Sequence, residues 1–145
     1  MPARILIADD YEDNRELLRL ILATAEYEVL EARDGQECIE LALDHRPDLI
    51  MVDLSMPRLD GWAACRALKA DARTAAIPCI AATAYDGVDR SRALQAGFNG
   101  YLTKPFHSAE LLAVIRGLLG ARADSESCGL SIDKRIMTEE TMADR

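Results

Sequence analysis

Two adjacent carboxylates, Asp9-Asp10, a third at Asp53, a hydroxyl at Thr83 and an ammonium at Lys104 have the types needed for acid, metal or phosphoryl chemistry. Singly, each has a plain structural use. Asp9 or Asp10 can cap a helix, Asp53 can end a strand, Thr83 can complete a β-branched run, and Lys104 before Pro105 can be a surface residue at a turn. Gathered in one place they mean more. Carboxylates ~4 Å apart repel by several kcal/mol per pair at an effective dielectric near 20, so a site built from them needs a cation. Lys104 supplies one charge and a divalent metal supplies two. Oxygen ligands, carboxylates with backbone carbonyls, suit a hard ion such as Mg²⁺ that keeps several waters, and Mn²⁺ shares that preference. A cation there attracts a phosphoryl group, whose remaining oxygens an ammonium and a hydroxyl on adjacent strands can hold. Asp53 is then the natural nucleophile, since aspartyl phosphate is a recognised type of covalent intermediate.

Whether these groups meet depends on the elements that carry them. Strand-length apolar runs recur at Arg4–Ala8, Glu28–Ala32, Asp48–Val52, Ile77–Ala82 and Asn99–Leu102. Helix-period segments lie between and after them, as in Leu17, Leu18, Ile21 and Leu22. The strand starts are 20 to 29 residues apart, room for one crossover helix each, which parallel strands require. Strands one and three are almost wholly apolar, as central strands covered on both faces should be. Strand two alternates Glu28, Val29, Leu30, Glu31, as an edge strand does. The expected fold class is therefore α/β, a doubly wound parallel sheet of five βα units. Asp34-Gly35, Asp60-Gly61 and Asp86-Gly87 are placed to cap helices two, three and four, and Gly97 follows helix four where a left-handed terminus suits glycine. Between helix one and strand two, Ala25-Glu26-Tyr27 offers no glycine, so that helix must end differently or carry modest strain.

In such a sheet every strand delivers its carboxyl end to one edge, and ligands bind there. The residues that follow the strands are Asp9-Asp10, Arg33-Asp34-Gly35, Asp53, Thr83-Ala84 and Lys104-Pro105. All of the chemistry-bearing groups are thus expected at one edge.

The 145 residues suffice for one self-sufficient domain, and 17 basic against 25 acidic residues give a net charge of −8. That balance repels phosphate backbones and anionic membrane surfaces, so no nucleic-acid or membrane partner is expected. Cys38, Cys65, Cys79 and Cys128 are scattered, without a Cys-x-x-Cys pair, and suggest neither a zinc site nor a disulfide framework. No apolar stretch resembles a signal peptide or approaches the ~20 residues of a membrane span, so a cytoplasmic protein is expected. Residues 1–120 form the expected domain. Residues 121–145 turn polar and are expected to be either a frayed tail or an arm in which Leu130, Ile132, Ile136 and Met137 dock a partner or a second copy of the chain, as a homodimer. Those 25 residues are too few for an ordinary output domain, so a stand-alone switch is expected.

Over about residues 3–120 the chain resembles the receiver domain of bacterial two-component response regulators. The resemblance lies in Ile5-Leu6-Ile7-Ala8-Asp9-Asp10, in the run Asp48–Gly61 (DLIMVDLSMPRLDG), in Ala81-Ala82-Thr83-Ala84 and in Gly100-Tyr101-Leu102-Thr103-Lys104-Pro105-Phe106, in that order and at matching separations. It implies the flavodoxin-like strand order 2-1-3-4-5. It also implies that Asp53 accepts a phosphoryl group from a phosphohistidine on a sensor histidine kinase or histidine phosphotransfer protein. Asp10 would bind Mg²⁺ directly and Asp9 through water, with Asp53 and the Ser55 carbonyl completing the metal site. Thr83, the Ala84 amide and Lys104 would bind the phosphoryl oxygens, and Pro105 would follow a cis peptide that aims Lys104 at the site. Thr83 and Tyr101 would be the switch residues, altering the surface of helix four, strand five and helix five that a downstream protein reads. Ser55 and Tyr85 would occupy rim positions that bear on the lifetime of the phosphorylated state. Trp62, at the start of helix three, is taken as packing.

Other functions fit the residues less well. An interaction module of the same fold that had lost phosphorylation would usually lack one of the acids or the lysine. An aspartate-nucleophile phosphatase needs a cap segment for which no spacing leaves room. A flavin site wants a hydroxyl- and glycine-rich loop after strand one, where this chain has Asp9, Asp10, Glu12 and Asp13. The chain is expected to catalyse only its own phosphorylation and dephosphorylation, not to be an enzyme acting on a separate substrate.

Overall fold

A computed structural model describes residues 2–54, 56, 59–83, 90–104 and 106–127. Strands and helices alternate throughout: β1 (Arg4–Ala8), α1 (Glu12–Thr24), β2 (Glu28–Ala32), α2 (Gly35–His45), β3 (Leu49–Asp53), α3 (Gly61–Ala70), β4 (Cys79–Thr83), α4 (Arg90–Gln95), β5 (Gly100–Thr103) and α5 (Ser108–Ser127). All strand pairs are parallel and the order is β2-β1-β3-β4-β5, as the resemblance implies.

Alternation along the strands sorts the core onto the two faces of the sheet. Leu6, Ala8, Ile50, Val52, Cys79 and Ala81 pack with Cys38 and Ala42 of α2, Cys65 and Leu68 of α3, and Ala93 of α4. Ile5, Ile7, Leu49, Met51, Ile80 and Ala82 pack on the other face with Leu18 and Leu22 of α1 and Leu111 and Ile115 of α5. Strands β3 and β4 are buried along their whole length, whereas β2 shows both of its glutamates to solvent. The apolar runs and the alternating edge strand have the expected burial.

The sheet ladder extends one rung past several strand ends. Asp9 N donates to Ala32 O (3.1 Å), Leu54 N to Ala82 O (3.0 Å) and Lys104 N to Thr83 O (2.7 Å). The first residues beyond β1, β3 and β5 are therefore level at one edge.

Helix ends follow the sequence closely. Asp34 and Asp60 accept from the amides of Glu37 and Ala63, both at 2.9 Å, as N-caps should; Asp86 lies outside the described residues. After α4, Gly97 has φ +111°, with Gly97 N donating to Leu94 O (3.1 Å) and Phe98 N to Ala93 O (3.1 Å). The same paired closure ends α1, where Glu26 N donates to Ala23 O (2.9 Å) and Tyr27 N to Leu22 O (3.1 Å). There Glu26 carries the positive φ, +68°, so the strain expected at this junction falls on one glutamate. Strand β4 begins at Cys79 rather than Ile77. Pro78 has no amide to donate, although its carbonyl still accepts from Ile50 N (2.9 Å). Helix α5 runs on through Gly120 to Ser127, into the segment where the composition turns polar. One glycine followed by Ala121-Arg122-Ala123 is not enough to stop a helix. Residues 128–145, including Leu130, Ile132, Ile136 and Met137, lie outside the described residues.

Candidate metal and phosphoryl site

Asp9, the first residue past β1, is almost completely buried at 2% exposure. A lone carboxylate there would be costly, and its donors answer that cost. Its Oδ1 accepts from Tyr11 N (2.9 Å), and its Oδ2 accepts from Lys104 Nζ (2.8 Å) and, more weakly, from Asn14 Nδ2 (3.4 Å). Asp9 therefore does not act as the side-chain cap of α1, whose N-cap is Tyr11 without a side-chain bond. The same Lys104 ammonium reaches Asp53 Oδ2 at 3.5 Å. Asp53, the last residue of β3, is 9% exposed. Burial works to lower the Lys104 pKa, but the hydrogen bond and charge of Asp9, joined by Asp53, outweigh it and hold the ammonium above the ordinary lysine value.

Asp10 completes the cluster from the solvent side. One carboxylate oxygen from each of Asp9, Asp10 and Asp53 lies within 4.8 Å of the others, among buried and exposed groups together. Thr83 ends β4 at 2% exposure, opposite Thr103 in the β4–β5 register, and its carbonyl takes the Lys104 amide. Tyr101, half-buried in β5, packs against the core face that α2, α3 and α4 cover. Asp9, Asp10, Asp53 and Lys104, expected at one edge from their places after the strands, are brought together by the fold. Ser55, Ala84, Tyr85 and Pro105, including the expected cis peptide, lie outside the described residues.

The approach of α3 to this site depends on a residue without a side chain. A Cβ at Gly61 would lie 2.5 Å from the Asp53 carbonyl oxygen and 2.9 Å from the Leu54 Cα. Any larger residue there would push α3 away from the end of β3 that carries Asp53. In the next turn of space, Trp62 meets Phe98 edge-on, with ring centroids 5.8 Å apart at 74°, and the Arg92 guanidinium lies 5.1 Å over the indole. Trp62 is a packing residue that joins α3 to α4.

Two contributors escape a reading by residue type, Asn14 and Arg15. Arg15 is 9% exposed and its Nη1 donates to the Asp9 carbonyl at 2.8 Å. The sequence does carry a signal for it: position 15 shares the helical stripe of Leu18 and Leu22, where an apolar side chain would be expected.

The family model for the response regulator receiver domain matches residues 5–116, and the chain belongs to this family. Among curated relatives, the response regulator PleD of Caulobacter vibrioides is 43% identical over 119 residues, covering 81% of this chain and 26% of that protein. The response regulator MprA of Mycolicibacterium vanbaalenii is 39% identical over 155 aligned positions, covering 100% of this chain and 66% of that protein. The chain thus spans from about a quarter to about two thirds of the length of these relatives. Among solved structures, the receiver domain of a sensor histidine kinase from Pseudomonas aeruginosa, with a magnesium ion coordinated in its active-site cleft, superposes with a TM-score of 0.76 at 34% identity. That match covers 83% of this chain and 99% of the other. Receiver domains are signalling modules of two-component systems. Among the described residues no helix is long and apolar enough to cross a membrane.

Proposed function

We propose that this chain is a phosphorylation-driven switch in which Asp53 takes a phosphoryl group from a phosphohistidine of a sensor histidine kinase or a histidine phosphotransfer protein. The observation that carries this reading is the position of the Lys104 ammonium, 2.8 Å from Asp9 and 3.5 Å from Asp53, with Asp10 closing the acidic cluster. In the transfer, an Asp53 carboxylate oxygen forms a bond to phosphorus as the P–N bond to the donor imidazole breaks, and the electron pair leaves with that imidazole.

The donor set fits a hard divalent cation. It is built of oxygens only, and its cluster is open to water on the Asp10 side. Both Asp9 oxygens already accept from protein donors, which favours contact between Asp9 and an ion through water, whereas Asp10, exposed to solvent, and Asp53, at the end of β3, are the proposed direct ligands. The Ser55 carbonyl is the proposed further ligand. Mg²⁺, or Mn²⁺ in its place, would supply positive charge to the phosphoryl oxygens. The chain's own residues do the rest. Lys104 neutralises charge on the incoming group, and the Thr83 hydroxyl and Ala84 amide bind its oxygens. Thr83 and Tyr101 then carry the change to the surface of α4, β5 and α5, which binds a downstream protein.

The test is labelling by a small-molecule phosphodonor such as acetyl phosphate. One phosphoryl group is expected on the wild-type chain with Mg²⁺, and none with EDTA or on Asp53→Asn. Labelling of Asp53→Asn at the wild-type extent would remove Asp53 from the acceptor role.

A further inference from the structure

A cation at a core-facing helix position needs a reason, because burying a charge is costly unless it is paired and hydrogen-bonded. Arg15 has a side chain only 10% exposed, on the stripe of α1 that also carries Leu18 and Leu22. Its Nε pairs with Glu31 Oε1 of β2 at 3.3 Å. That pair alone does not explain it. Glu31 is 36% exposed and has a second cation, Arg19, at 3.5 Å, so a surface pair is already available without an arginine inside. What Arg15 adds is a donation from Nη1 to the Asp9 carbonyl at 2.8 Å.

That carbonyl stands where the sheet stops. The Asp9 amide makes the rung to Ala32 O, and the chain then leaves the strand for α1. The Asp9 C=O and the Asp10 N–H belong to one planar peptide unit, so fixing the first fixes the direction in which Asp10 departs. The Asp9 side chain is already held by Lys104 and the Tyr11 amide. The Asp10 side chain is exposed, so no packing holds it, and the direction in which its Cβ leaves the chain is set by the peptide before it.

We propose that Arg15 is a positioning residue for a divalent-cation site: by gripping the Asp9 carbonyl it orients the peptide that presents the Asp10 carboxylate to Asp9 and Asp53. This rests on the reading of the acidic cluster as an ion site. Charge and position make opposite demands. Arg15 is positive, so if it acted on a bound cation only through its charge, removing it would tighten binding. As a positioning residue, its removal weakens binding.

The experiment is calorimetric titration of the folded protein with Mg²⁺, with thermal melts run in parallel. Arg15→Ala is expected to weaken Mg²⁺ binding roughly tenfold, the scale seen when a partner of a metal ligand is lost. Arg15→Gln, which keeps a neutral donor for the carbonyl, is expected to recover most of the affinity. Glu31→Gln, which removes the ion pair but leaves the carbonyl bond, is expected to lower the melting temperature and leave Mg²⁺ affinity within about twofold of wild type. Arg15→Ala, or Arg15→Gln if the alanine variant does not fold, binding Mg²⁺ more tightly than wild type would overturn the proposal in favour of a charge effect. Equal loss of affinity in Glu31→Gln would reduce Arg15 to a general structural role. A wild-type chain that takes up no Mg²⁺ would instead sink the ion site itself.

Discussion

Replacing Lys104 with methionine keeps most of the side-chain volume and removes the ammonium that Asp9 and Asp53 share. With 332/(εr) at an effective dielectric of 20, the 2.8 Å contact with Asp9 is worth about 6 kcal/mol and the 3.5 Å contact with Asp53 about 5 kcal/mol before solvation. The Lys104 side chain is 19% exposed, so water recovers part of the lost interaction, and the ammonium no longer has to be desolvated. A net loss of about 2–4 kcal/mol remains, because two carboxylates with 3% and 11% side-chain exposure are left without their cation. The assay is urea unfolding of wild type and Lys104→Met in EDTA from pH 7 to about 11.5. The difference should be full at neutral pH and should shrink as the pH climbs past the ordinary lysine value of 10.5. The wild-type contribution of Lys104 has the opposite sign of pH dependence to a carboxylate. Its folded pKa is raised above 10.5, so its stabilisation is complete below about pH 10.5 and is lost only as the pH climbs through the folded value. Adding Mg²⁺ at a hundred times its dissociation constant should restore about 2.7 kcal/mol to the variant. A loss below about 1 kcal/mol at neutral pH would refute the view that Lys104 is the cation the buried acids require.

Further outcomes follow from particular contacts. Gly61→Ala should destabilise by about 1–3 kcal/mol in chemical denaturation and slow phosphoryl uptake, because its Cβ meets the Asp53 carbonyl; unchanged stability and uptake would show that α3 has slack. Glu26→Gly should raise stability by about 0.5–1 kcal/mol, since φ at this position is +68° and glycine pays no Cβ penalty there. No gain in a denaturation midpoint would place the strain elsewhere. Burial pushes the Cys38 thiol up to about 12, so iodoacetamide at pH 8 should leave it unmodified in the native protein and alkylate it after unfolding, as read by peptide mass.

Much of this fold can be read from the order of residues because its rules are local. Apolar runs of strand length, an acid-glycine pair before a helix and an edge strand with alternating glutamates each have one main physical interpretation. The site follows once the strands are parallel, since Asp9, Asp10, Asp53 and Lys104 then have to share an edge. What the residue types do not reveal is pairing in three dimensions. Arg15 looks like any helical arginine until its position on the Leu18–Leu22 stripe is combined with the end of β1, and Glu26 shows no outward sign of taking a glycine's conformation. Pro78 shortens β4 for want of an amide, a point that an apolar run from Ile77 conceals. The extent of α5 past Gly120 escapes because one glycine is a weak helix stop when helix formers follow it.

The most direct measurement locates the phosphoryl group. After acetyl phosphate treatment in Mg²⁺, borohydride reduction converts an aspartyl phosphate to homoserine, and peptide mass spectrometry then reads its position. Homoserine at residue 53 is the predicted result. Phosphate on any other residue, or none while Mg²⁺ is bound, would contradict the assignment of Asp53 as the acceptor beside Lys104.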